Sequence, residues 1–202
     1  MKITNIKECV RNKNRINIYA DDEFLCALYL ETALKNDVKI GAEFDEQVLL
    51  DIKKQDSEQY AFSAGLSYVS AKMRTEKEVC TKLKQKGLDE RATADALQKL
   101  TEYGYVDDEN YAVVYAQELL QKYGRRVAVQ KMILRGISAE AAKEALAQFP
   151  QDDELIDTYL ENLMDKYEEE EPYKKKQKII RSLMTKGFDY DDIKSAMNRY
   201  EE

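Results

Sequence analysis

The stretch KLKQKGLDERATADALQKL, Lys82 to Leu100, lies without a gap over MILRGISAEAAKEALAQF (Met132 to Phe149) and over LMTKGFDYDDIKSAMNRY (Leu183 to Tyr200). Gly87, Gly136 and Gly187 stand 49 and 51 residues apart. A basic residue precedes each glycine (Lys86, Arg135, Lys186) and an apolar one follows it (Leu88, Ile137, Phe188). Next comes Asp89, Ser138 or Asp189, then at fixed offsets Ala96, Ala145 or Ala196, followed directly by Leu97, Leu146 or Met197. Leu100, Phe149 and Tyr200 close the three copies, and Leu83, Met132 and Leu183 stand four residues before the glycines.

Each position has a physical reason. Glycine adopts the left-handed backbone that stops a helix, and the base before it complements the negative end of the helix dipole. Asp or Ser two residues later accepts hydrogen bonds from the free N–H groups of the next helix. The alanine, its apolar neighbour and the last apolar residue share one stripe, and the alanine permits close helix approach. The motif is a two-helix corner written three times.

One more amphipathic helix precedes each corner. In the first unit it is YAFSAGLSYVSAK, with Ala61, Ala64, Leu66, Tyr68 and Val69 as apolar positions, and Thr75-Glu76-Lys77-Glu78 then forms a capping box. In the second, Gly104 is the stop, Asp107 or Asp108 the cap, and NYAVVYAQELLQKYG and RRVAVQKMILR the helices. The third starts after Pro150, and its polar run EEEEPYKKK reads as a longer linker that accounts for the wider glycine spacing. Residues 1–56 read differently. Alternation in RINIYA, the turn-like RNKN and the upstream KITNIKECV predict a β-hairpin, and EFLCALYL extends a third strand or enters a short helix. DEQVLLDIKKQ is a helix with Asp45 as cap and Phe44 stapled on Leu49. The expected fold is mainly α. It comprises an N-terminal α+β module (1–56) and three tandem three-helix repeats (57–104, 105–149, 150–202), stacked as an elongated, curved array.

Composition narrows the function. Of 202 residues none is histidine, so the commonest general base and metal ligand are missing. Cys9, Cys26 and Cys80 are odd in number and widely spaced, which fits small buried hydrophobes in a reducing compartment and not a disulfide framework or zinc site. No catalytic set, cofactor motif or metal-ligand spacing is visible. No apolar run is long enough for a membrane span and the N-terminus lacks a signal-like stretch, so a cytoplasmic protein is expected. Net charge is −7, with the last segment carrying 9 basic and 15 acidic residues.

Function is therefore sought on surfaces. Lys77, Lys82 and Lys86 align with Arg126, Lys131 and Arg135, with Lys72, Arg74 and Arg125 just upstream of their helices. The third unit offers Lys174, Lys175, Lys176, Lys178, Arg181 and Lys186. Recurring bases on stacked repeats form a stripe suited to phosphates or carboxylates. Lysines interleaved with glutamate are ordinarily a solvated face. Arg125-Arg126 differ, because two arginines at a helix start oppose the dipole and so suggest use. The tyrosines at helical spacing (Tyr60 and Tyr68, Tyr111 and Tyr115) read as packing residues.

The segments YVSAKMRTEKEVCTKLKQKGL and LQKLTEYGYVDDENYAVVYAQELLQKYGRRVAVQKMILRGIS resemble the RecX family of bacterial recombination regulators. The resemblance extends over essentially the whole chain, with the third repeat the most divergent. It implies a non-enzymatic, cofactor-free, monomeric regulator that lies in the groove of the RecA–DNA filament. There it inhibits strand exchange, ATP hydrolysis and coprotease activity, and so modulates recombinational repair and the SOS response. Some family members also bind DNA directly, and the alternative reading is a stand-alone binder of single- or double-stranded DNA. The contact candidates are the basic positions Lys72, Arg74, Lys77, Lys82, Lys86, Arg125, Arg126, Lys131 and Arg135. Exchanging Arg125 and Arg126 for glutamate is expected to weaken filament inhibition with helicity intact.

Overall fold

The alternation in RINIYA places Ile16, Ile18 and Ala20 on the buried side of a strand. In the computed structural model, which describes residues 1–10, 12–149 and 153–201, that strand is the middle of three. β1 (Ile3–Glu8), β2 (Arg15–Ala20) and β3 (Glu23–Tyr29) pair antiparallel in sequence order, so the expected hairpin is a three-stranded sheet. EFLCALYL supplies both alternatives read from it: β3 ends at Tyr29 and α1 (Leu30–Lys35) begins at once. Asp21 and Asp22 turn the chain between β2 and β3 with φ of 49° and 65°, a left-handed pair that short polar side chains tolerate. Of the turn-like RNKN, Arg11 lies outside the described residues; Arg15 N–H donates to the Asn12 carbonyl at 3.0 Å.

Asp45 caps α2 (Glu46–Val69), accepting from the Val48 N–H at 2.8 Å. Phe44 packs against the sheet core that Ile3, Ile18, Leu28 and Ile52 form, and Leu49 is buried. The two helices expected on either side of residue 56 are one helix of 24 residues. No glycine or proline stands where the two join, and Asp56, in the middle, is held by the sheet. Its carboxylate accepts the Tyr29 N–H at 2.5 Å and pairs with the Arg15 guanidinium at 2.9 Å. Arg15 also donates to the Ala27 carbonyl at 2.6 Å and lies over the Tyr29 and Tyr60 rings. A half-buried ion pair thus fastens the sheet to a helix whose far half belongs to the first repeat.

That repeat is completed by α3 (Glu76–Gln85) and α4 (Glu90–Glu102). Thr75 and Glu78 make the expected capping box, and Asp89 caps α4 through the Ala92 N–H at 2.8 Å. These elements form one compact unit, Met1–Val106, and Asp107–Glu202 forms a second. In the second, α5 (Asp108–Leu120), α6 (Arg125–Arg135) and α7 (Ala139–Ala147) make one repeat. α8 (Asp153–Lys166), α9 (Pro172–Lys186) and α10 (Tyr190–Glu201) make the next. Asp107, not Asp108, caps α5, and Ser138 caps α7. The start of the third repeat at Pro150 lies outside the described residues.

Each repeat closes its own core from equivalent positions. Val79, Ala128 and Ile179, then Leu83, Met132 and Leu183, are fully buried; Ala96, Ala145 and Ala196 are buried beside them. Volume is traded within a repeat: the small Ala128 sits beside the long Met132. Two expectations are corrected. Tyr200 does not close the third stripe, being 49% exposed at the end of α10. The PYKKK of EEEEPYKKK is not linker, because Pro172, whose missing N–H costs nothing there, opens α9. The added length lies in the helix, 15 residues in α9 against 11 in α6. No helix among the described residues is long and apolar enough to cross a membrane.

Asp56 makes the sheet-to-helix joint pH-dependent. Burial pushes its carboxyl above the ordinary 3.8, outweighing the Tyr29 N–H, Arg15 and Thr32, which favour the anion. The folded acid therefore holds its proton to higher pH than the unfolded chain. The associated stability is complete below 3.8 and declines as pH rises through the raised value. Urea unfolding of wild type and Asp56→Asn, from about pH 3.5 to about pH 6, is expected to show wild type losing ground to the variant. A gain with rising pH would mean that pairing with Arg15 outweighs burial.

Candidate functional site

A helix start is an unusual place for two arginines, because its free N–H groups already concentrate positive charge. The structure explains the first of them. Arg125 is half-buried, and its guanidinium donates to the Leu146 carbonyl at 2.6 Å and the Phe149 carbonyl at 2.7 Å, where α7 ends. It adds a side-chain cap to the end of α7, where the Leu146 carbonyl also accepts the Phe149 N–H at 3.3 Å. Arg126, exposed, donates to the Met184 carbonyl in α9.

The backbone around this pair is as closely engaged. Gly124 N–H donates to the Lys186 carbonyl at 3.1 Å, and Arg126 N–H to the Gly187 carbonyl at 3.2 Å. The positive start of α6 thus meets the negative end of α9. The contact is so close that a Cβ on Gly124 would lie 2.3 Å from the Gly187 carbonyl carbon and oxygen. Gly187 has φ +99°, and a Cβ there would meet the Val127 nitrogen at 2.6 Å. Beside this joint, Lys186 lies over the Tyr159 ring at 4.5 Å and Lys131 over the Tyr123 ring at 4.5 Å. Tyr159 O–H donates to the Lys122 carbonyl at 3.2 Å.

The other candidates fall into two groups. Arg74 lies 4.1 Å over the Tyr68 ring and faces Glu78, its side chain only 16% exposed. Lys82 lies over the same ring at 5.6 Å, and Arg135 over Tyr115 at 5.7 Å. These cations are occupied by their own repeat, as cations over aromatic faces commonly are. Lys72, Lys77 and Lys86 project exposed around α3. Tyr60, Tyr68, Tyr111 and Tyr115 pack against the repeat cores.

Sequence reasoning missed one juxtaposition: Arg126 and Arg181 line a groove of about 350 Å³ with Gln177, Ile180, Met184 and Thr185. The spacing of 177, 180, 181, 184 and 185 marks one face of α9, which was the available signal. A second groove, about 430 Å³, runs between α5 and α7 with Asp107, Glu109 and Glu144 on its walls.

Burial pushes the Cys26 and Cys80 thiols up, away from the reactive thiolate. Among the described residues no three His, Cys, Asp or Glu side chains are placed to hold a metal. The arrangement presents surfaces: exposed lysines in the first unit, an arginine groove and an acidic groove in the second.

Known proteins match the chain in the same order. Protein-family models match as the Regulatory protein RecX N-terminal domain over residues 1–45 and the first, second and third RecX three-helix domains over 61–100, 107–146 and 151–197. A regulatory protein RecX of Clostridium tetani is 33% identical over 203 residues, covering 98% of this chain and 94% of that one. That of Bacillus subtilis is 29% identical, over 98% of this chain and 77% of its own. Among solved structures, a crystal structure of regulatory protein RecX superposes with a TM-score of 0.76 at 27% identity, covering 98% of both chains. RecX from Lactobacillus salivarius gives 0.69 at 29% identity over 73% of this chain and 98% of its own.

The joint between α6 and α9 separates two kinds of glycine. Gly124→Ala forces backbone against backbone and is expected to cost about 2–4 kcal/mol. Gly87→Ala meets nothing within 4 Å and pays only for its φ of +78°, about 1–2 kcal/mol. Urea unfolding monitored by circular dichroism checks the order; equal costs would mean that the Gly124–Gly187 contact is absent in solution. Arg125→Glu is likewise expected to loosen the end of α7, so the double arginine exchange will not leave helicity intact.

Proposed function

We propose, from the premise that this chain belongs to the RecX family of regulatory proteins, that it binds the RecA–DNA filament and inhibits its recombinase, ATPase and coprotease activities. It would thereby modulate recombinational repair and the SOS response in the cytoplasm, acting as a monomer without a cofactor. The observation that carries the reading is the match of the family's N-terminal and three helical domains, in order and over nearly the whole chain. Repeats with separate cores supply several surfaces on one chain, each able to touch a different subunit of a polymer. Several modest contacts then add up through effective concentration. A binder that touches neighbouring subunits also opposes the subunit movement that turnover requires. In this reading the four segments 1–56, 57–104, 105–149 and 150–202 act together, and the exposed Lys72, Lys77 and Lys86 are the strongest contact candidates of the original set.

A second reading, direct DNA binding, draws on α9, whose sequence PYKKKQKIIRSLMTK contains no acidic residue. Binding of this kind weakens steeply with salt.

The test is RecA ATPase activity on single-stranded DNA with the protein titrated in. Hydrolysis is expected to fall at stoichiometric or lower amounts, and undiminished hydrolysis would refute the reading. Tight binding to bare DNA at physiological salt, with RecA activity untouched, would favour the second.

A further inference from the structure

The cations of α9 are not equivalent. At its start, Lys174 pairs with Glu171 at 3.4 Å and Lys178 with Glu170, so the acidic run before the helix discharges part of that end. Arg181 makes no ion pair with any described carboxylate, nor does Arg126. The two arginines come from positions 55 residues apart in the chain and flank one groove with no carboxylate on its walls. The Met184 carbonyl fixes the Arg126 guanidinium there, using one of its five donors. Ile180 and Met184, both half-buried and packed on the third repeat's core, provide an apolar lining between the arginines.

We infer that this groove receives an acidic segment of the partner protein, its carboxylates on Arg126 and Arg181 and an adjacent apolar side chain over Ile180 and Met184. Guanidinium forks match carboxylates in paired hydrogen bonds, and the apolar lining gives the neighbouring side chain something to bury against. Nucleic acid fits less well. No aromatic ring lines the groove to stack a base, and two cations neutralise too few phosphates to hold a polyanion against a molecule of net charge −7. The inference rests on the reading that the partner is the RecA filament, and it names the chemistry of one contact.

Arg181→Glu reverses one wall of the groove, and Gln177→Glu adds a carboxylate while leaving both arginines in place. Both sites are exposed on α9, so circular dichroism and urea unfolding should match wild type. Each variant is compared with wild type in RecA ATPase inhibition and in binding to a labelled oligothymidylate by fluorescence anisotropy. The amount needed for half-inhibition is expected to rise about tenfold for Arg181→Glu, the scale of one lost charged contact. Gln177→Glu should follow in the same direction, Arg181→Lys should recover part of the loss, and oligothymidylate binding should change less than about twofold. Unchanged inhibition by Arg181→Glu beside an active wild type overturns the groove and spares the RecA reading. A wild type that fails to inhibit overturns both. A parallel loss of inhibition and oligothymidylate binding assigns the groove to nucleic acid and overturns the protein partner.

Discussion

The second unit depends on a contact between two glycines. Where α6 starts and α9 ends, four N–H groups and four carbonyls would have no intrahelical partner. Gly124 and Arg126 resolve part of both deficits at once by donating their N–H groups to the Lys186 and Gly187 carbonyls. Each hydrogen bond contributes about 1 kcal/mol net, but leaving its groups buried and unpaired would cost about 1–3 kcal/mol. The opposed helix ends add a favourable dipole contact. None of this is reached unless residue 124 has no side chain, because the backbone of Gly187 occupies the space where a Cβ would stand. Gly187 stops α9 as its counterparts stop their helices, and it has the further task of admitting the neighbouring repeat.

Much of the fold was legible because its signals are local. The glycine stop, the Asp or Ser cap and the buried alanine lie within about four turns of one another, and each repeat finishes its core from such pieces. The failures occurred where residues distant in sequence decide the outcome. DEQVLLDIKKQ and YAFSAGLSYVSAK read as two helices, yet Asp56 between them is bound by Arg15, 41 residues away, and by the Tyr29 N–H, and lies in the middle of α2. PYKKK looked like linker because it is polar, but proline at a first helical position and lysines on a solvated surface are compatible with a helix. The Asp21–Asp22 turn went unnoticed because the left-handed backbone usually advertises itself through glycine or asparagine.

The candidate surface was legible as composition and illegible as geometry. Counting cations along helices treats every lysine and arginine as available charge. Tyrosine rings hold Arg74, Lys82, Lys131 and Arg135, and carbonyls at the end of α7 hold Arg125. Conversely, Arg126 and Arg181 gain meaning only through their meeting across α6 and α9. The oddity of Arg125-Arg126 at a helix start has an internal reason in both cases, since the two side chains donate to carbonyls at the end of α7 and in α9.

Separate cores also set an order of events during synthesis. Each repeat draws its buried residues from one continuous stretch, so the contacts it needs are short in sequence, a pattern associated with fast folding. A chain emerging from the ribosome at about 5–20 residues per second can complete one repeat before the next is translated. The exception is the glycine contact, whose halves lie 63 residues apart. Until Gly187 appears, the start of α6 waits with its N–H groups in water, and the second and third repeats join only once the end of α9 has been made.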